Sequence, residues 1–122
     1  MTKVIFDSSF LMAVAEHPTT WFEDIAEKVG RLEPVALDCV LAELGRLASG
    51  QGRRSRVARV ALEIAEGFSR APSGGAGPDQ EIMSAALTMK AAVATADKDL
   101  ALSLRAQSVR VFGLQSGRVA LL

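Results

Sequence analysis

The chain carries one cysteine and one histidine among its 122 residues. A lone Cys39 excludes an intramolecular disulfide. Its apolar neighbours, with an aspartate beside it, predict a buried and inert thiol. The one histidine, His17, stands before Pro18 in an expected loop, so no Ser-His-Asp set suggests itself, and a histidine or cysteine metal cluster is ruled out. Excess charge is missing too: 14 basic and 14 acidic residues balance to a formal net charge of zero. Attraction to nucleic acid would then have to come from a local patch. No apolar run is long enough to cross a bilayer. Met1-Thr2-Lys3 enters the first expected strand without a signal-peptide pattern, so a cytoplasmic location is expected. Gly74-Gly75-Ala76-Gly77 is glycine-rich, but it follows no strand and precedes no Gly-Lys-Ser/Thr, which excludes a Walker-type phosphate loop. A mobile loop beside an active site is its expected use.

What is present is an apolar fraction of 49%, enough for the core of a single domain over residues 1–122. The pattern alternates. Residues 3–6 read as a strand and run into Asp7-Ser8-Ser9 and a short helix with Phe10, Leu11 and Val14 inward. A second helix is expected from Pro18, with Trp21, Phe22, Ile25, Val29 and Leu32 at helical spacing and Gly30 at its end. Pro34 should break the chain before a strand at 35–37, after which Asp38 caps a helix packed through Val40, Leu41 and Leu44. The fourth helix is expected to bury Val57, Val60, Ala61, Ile64 and Phe68. Residues 71–78 read as a loop, and a helix beginning near Asp79 turns Ile82, Met83, Ala86 and Leu87 inward. A strand at 91–94, a helix capped by Asp97, a strand at 108–112, and a turn at 115–117 into a last strand at 119–121 complete the chain. Strands alternating with helices predict an α/β fold, a mainly parallel sheet with helices on both faces. Asp7, Asp38 and the Thr95/Asp97 pair all follow apolar strands, so they should gather at the carboxyl edge, where such sheets bind ligands.

Each acid also has an ordinary structural explanation. Asp7 could cap a helix, although Ser8 and Ser9 could do that without it. Glu43 lies on the shoulder of an apolar face, where a surface pair with Arg46 would satisfy it. Asp79 and Asp97 both open helices, and either Asp97 or Asp99 should cap. The signal is the set of acids on one edge. Crowded carboxylates repel unless a cation neutralises them, and an all-carboxylate site favours a hard ion, Mg²⁺ or Mn²⁺. Arg46, Arg53, Arg54, Arg56, Arg59 and Arg70 are the only basic concentration. They read either as a solvated face, with Arg59 paired to Glu63, or as phosphate-backbone contacts.

Taken together, the residues resemble the PIN domain family of metal-dependent ribonucleases. The opening strand and Asp-Thr-Asn-type motif stand here as Val4-Ile5-Phe6-Asp7-Ser8-Ser9. The second acid lies in Val40-Leu41-Ala42-Glu43-Leu44, the third in Pro78-Asp79-Gln80-Glu81-Ile82, and the fourth in Val93-Ala94-Thr95-Ala96-Asp97. The resemblance spans essentially the whole chain and is closest to the archaeal type. It implies a three-layer α/β/α fold and an acidic pocket of Asp7, Glu43, Asp79 and Asp97 holding one or two Mg²⁺ or Mn²⁺ ions. It further implies RNA as substrate, in ribosomal-RNA processing or as the toxin of a toxin–antitoxin pair. The corresponding partners are a ribosome-assembly protein or an antitoxin, with the chain as a homodimer. Ser9 replaces the usual asparagine and Ala96 a frequently polar residue, which leaves open a catalytically weak or inactive module that binds RNA or protein. Whether Asp97 or Asp99 is the fourth ligand also stays open, with Asp97 favoured.

Overall fold

The computed structural model describes residues 1–122. The elements run β1 (Thr2–Phe6), α1 (Ser8–Glu16), α2 (Trp21–Val29), β2 (Leu32–Leu37), α3 (Asp38–Ala48), α4 (Arg53–Ala65), β3 (Ser69–Ala71), α5 (Pro78–Met89), β4 (Ala92–Ala94), α6 (Lys98–Ala106), β5 (Val111–Gln115) and β6 (Arg118–Leu121). One six-stranded sheet has the order β3-β2-β1-β4-β5-β6. All neighbours are parallel except β5 and β6. Six helices flank the sheet, the α/β/α arrangement the alternation predicts.

The central strand explains the centre of the molecule. Val4, Ile5 and Phe6 are all fully buried, so both faces of β1 are covered, as a strand in a parallel sheet requires. β1 pairs with β2 on one side and β4 on the other, so the chain winds outward in both directions from it. That reversal of strand order opens a crevice at the carboxyl ends of β1 and β4. Phe6 anchors an aromatic cluster, with ring centroids 5.6 Å from Phe10, 5.2 Å from Trp21 and 5.0 Å from Phe68.

Several expectations from the sequence are corrected. Helix α2 begins at Trp21, with Thr20 as its N-cap, rather than at Pro18. Pro34 does not break the chain; it lies inside β2, opposite Val4. Its missing N–H costs no ladder bond, because β3 pairs only from Val35 onward and β2 has a single neighbour at Pro34. Asp38 is the first residue of α3 and makes no capping bond. Residues 69–71 form β3, an exposed three-residue edge strand that carries almost no apolar signal.

Helix α4 is turned from the expected face. It buries Ser55, Ala58, Ala61 and Ala65, while Val60 is 42% exposed. α4 packs against both α1 and α3, and small side chains let helix axes approach closely. Leu87 of α5 is likewise exposed, and only Ile82 and Ala86 of that helix are fully buried. The strand expected at 108–112 starts at Val111 and runs to Gln115. The hairpin to β6 turns on Ser116 and Gly117, both at positive φ (52° and 79°), as a two-residue turn between antiparallel strands needs.

Candidate active site

The carboxyl ends of β1 and β4 lie side by side, and Asp7 and Thr95 immediately follow them. Asp7 occupies the N-cap position of α1, yet its side chain makes no capping bond. Its Oδ2 accepts two hydroxyl hydrogen bonds, from Ser9 Oγ at 2.6 Å and from Thr95 Oγ1 at 2.8 Å. Each hydroxyl has one proton, and both are directed at Oδ2. The 3.2 Å contact between Ser9 Oγ and Thr95 Oγ1 then carries none. Both hydroxyls in turn accept backbone N–H groups, Ser9 Oγ from Ala96 at 3.0 Å and Thr95 Oγ1 from Asp97 at 3.0 Å. A buried carboxylate, only 5% exposed, is thereby locked to the β4–α6 connection. Oδ1 is left without a protein partner.

The same division recurs at two more acids. Glu43 projects from the middle of α3, and its Oε1 accepts from Ser8 Oγ at 2.8 Å. The pairing with Arg46 that its position suggested is not formed. Asp97 is the N-cap of α6; its Oδ1 accepts from the Asp99 and Leu100 amides at 2.9 and 3.1 Å. In Asp7, Glu43 and Asp97 alike, the fold holds one carboxylate oxygen and leaves the other free. Asp79, in the first turn of α5, has no hydrogen-bond partner.

All four acids line one open cavity of about 670 Å³. Asp38 and Asp99 lie outside it. Partial burial, then the negative charges of Asp7, Asp97 and Glu43, raise the Asp79 carboxyl above the usual aspartate range. Their mutual repulsion is thus felt at the one acid the fold does not hold. The N-termini of α1, α5 and α6 all open beside these acids, and their positive dipole ends offset part of the crowding.

The glycine-rich segment is tied down. Glu81 accepts from the amides of Gly74 at 2.6 Å and Ala76 at 3.3 Å, and Ser73 Oγ accepts the Cys39 amide at 2.8 Å, capping the first turn of α3. Cys39 itself is half-buried. Of the arginines, only Arg54 lines the cavity. Arg59 Nη1 donates to the Ala48 carbonyl at 2.7 Å at the end of α3, in place of the expected pair with Glu63. Arg53 lies 3.6 Å from Glu16. Sequence reasoning treated Ser9 as a departure, whereas the structure makes it the second clamp on Asp7. Nothing in the sequence singles out Arg54 from its neighbours.

The donor set consists of oxygens, which suits a hard divalent ion. No three of the carboxylates form a group that would hold an ion by themselves.

A family profile described as PIN like domain matches residues 4–117. The chain is similar to the PIN domain endonuclease Utp24 at 28% identity, with a TM-score of 0.79 over 98% of this chain and 90% of that one. It shares its fold with a domain of a functionally unknown protein from Methanocaldococcus jannaschii, at 14% identity and a TM-score of 0.67, covering 97% and 94% of the two chains. The fold also matches the T5 5′-exonuclease, at 14% identity and a TM-score of 0.58, over 97% of this chain and 52% of that one. No curated protein matches the sequence.

Proposed function

The chain belongs to the PIN-like domain family, and on that premise we propose that it is a divalent-metal-dependent nuclease that hydrolyses RNA phosphodiester bonds. The observation that carries the reading is the pocket. Asp7, Glu43, Asp79 and Asp97 converge from four separate segments, and three of them have one oxygen anchored and one free. Similarity to the endonuclease Utp24 supports nuclease chemistry. Asp7 and Asp97 would hold Mg²⁺ or Mn²⁺, with Glu43 and Asp79 as ligands of a second ion or as groups that orient and deprotonate water. The bound metal supplies Lewis acidity toward the phosphate and an acidified water.

The chain's own residues do the rest. Ser9 and Thr95 fix the Asp7 carboxylate so that it does not turn away to cap α1. Ser8 does the same for Glu43. Asp79, unheld and with a raised pKa, is the group best suited to take a proton from the attacking water. Arg54 offers the substrate phosphate its one cation in the cavity. Asp7→Asn should abolish metal-dependent cleavage of RNA and leave the circular-dichroism spectrum unchanged. Cleavage that persists in that variant would sink the assignment.

A second reading is a PIN-like module that binds RNA or a protein partner without cutting. The departures from the family motif at Ser9 and Ala96 motivate it. Tight RNA retention with no metal-dependent product would establish it. For the nuclease, the two settings are ribosomal-RNA processing, beside an assembly protein, and toxicity restrained by an antitoxin. A neighbouring small gene for a DNA-binding protein selects the second. The proposed homodimer is checked by sedimentation. No helix is long and apolar enough to cross a membrane.

A further inference from the structure

A second cavity, of about 510 Å³, runs between α5 and α6. Asp79 and Gln80 line it as well as the acidic pocket, so the two spaces share a wall. Its apolar lining is Met83, Leu87 and Leu100, with Leu87 48% exposed to solvent. Ser84, Ser103 and Asp99 supply the polar lining. The Asp99 amide is bound to Asp97 Oδ1, but its carboxylate has no hydrogen bond and no ion pair. No lysine or arginine lines the space.

That chemistry selects its occupant. Without a cation, and with Asp79 and Asp99 on its rim, the groove repels phosphate. A thioether and two leucines give an adaptable apolar surface for a flat ring. Around them stand two hydroxyls, an amide and two carboxylates, Asp79 and Asp99, which when ionised only accept hydrogen bonds. A heterocycle with an exocyclic amino group satisfies such a rim, whereas uracil offers Asp99 only its ring N3–H, flanked on both sides by carbonyl oxygens of like polarity to the carboxylate. Single-stranded RNA offers such rings, since its unstacked bases are read on their edges. Carboxylates accept from the cytosine amino group. The shared wall keeps a base held here next to a phosphate held at the acids.

We infer that the α5–α6 groove is a base-binding subsite, which takes the unstacked base of a nucleotide adjoining the cut and prefers cytosine to uracil through Asp99. The inference rests on RNA being the substrate of the neighbouring pocket. It gives the nuclease a sequence preference that acidic residues acting on phosphate cannot provide.

The test is fluorescence anisotropy with fluorescein-labelled octacytidylate and octauridylate, on the full chain carrying Asp7→Asn so that neither strand is cut. Octacytidylate should bind about tenfold more tightly. Adding Asp99→Ala should erase the difference, and adding Leu87→Glu should weaken octacytidylate binding. Equal affinities, or a preference that survives Asp99→Ala, would overturn the subsite. Leu87→Glu that turns a dimer into a monomer and leaves the preference intact would overturn it in favour of a contact between copies. Failure of the nuclease reading looks different: wild-type chain that makes no metal-dependent product while the cytosine preference and its loss in Asp99→Ala stand. Cleavage by wild type with no base preference removes the subsite alone.

Discussion

Thr95 Oγ1 donates to Asp7 Oδ2 at 2.8 Å across 88 residues of sequence, joining the end of β4 to the end of β1 inside the core. Thr95 is 1% exposed, and its oxygen also accepts the Asp97 amide, so one hydroxyl positions two of the four acids. Thr95→Val keeps the shape and removes both bonds. It should cost about 1–3 kcal/mol of stability, read from urea denaturation. It should also weaken Mn²⁺ binding about 10- to 100-fold by calorimetry. Unchanged Mn²⁺ affinity would separate Thr95 from the site.

Asp79 predicts the pH dependence. Its folded pKa is raised, first by burial and then by the fields of Asp7, Asp97 and Glu43. A carboxyl raised on folding contributes stability that is complete below the ordinary aspartate range. That contribution is lost as pH climbs through the raised value. Without metal, Asp79→Asn should therefore melt higher than wild type at neutral pH, by about 1–2 °C after solvent screening is allowed for. The gap should close below about pH 4. Calorimetric melts at both pH values check this, and a variant that melts lower than wild type at pH 7 would contradict it.

Arg54 is the only cation lining the acidic cavity, and it makes no ion pair. Arg54→Ala should weaken RNA binding and reduce the slope of log affinity against log salt by about 0.7, the loss of one phosphate contact on a single strand. Arg56→Ala, on a residue outside the cavity, is the control. Equal slopes in the two variants would remove Arg54 from the interface.

The buried face of α4 can be tested by stability alone. Ala61 is fully buried in that face, and Val60 beside it is 42% exposed. Ala61→Leu should destabilise by about 1–3 kcal/mol through overpacking. Val60→Asp should stay within about 0.5 kcal/mol. The reverse order would mean that α4 packs through its larger residues.

The sequence alone determined the α/β alternation, because buried parallel strands need short continuous apolar runs and amphipathic helices need period 3.6. Val4 to Phe6 and Ala92 to Ala94 are legible for that reason. It also brought Asp7 and Asp97 to one edge, since residues just past parallel strands gather there; Asp38, expected by the same rule, lies outside the cavity, and Glu43 and Asp79 were legible only through the family resemblance. It left Ser69–Ala71 unseen, because an exposed edge strand needs no apolar residues and exists through its backbone bonds to β2. It misjudged α4, whose buried face follows from how closely α1 and α3 approach and not from which side chains are largest. Pro34 looked like a breaker because local propensity cannot register that β3 stops one residue short of it.

Within the site, the tertiary structure decided what each hydroxyl does. Ser8 and Ser9 are neighbours in sequence, yet one reaches Glu43 on α3 and the other Asp7 and the Ala96 amide. Local rules would have spent both on capping α1. The sequence favours Asp97 over Asp99 without deciding between them, and the turn of α6 places one at the acidic pocket and the other at the neighbouring groove. Sequence carries residue type and period; partners 35 to 88 residues away are chosen only when the sheet order brings the strand ends together.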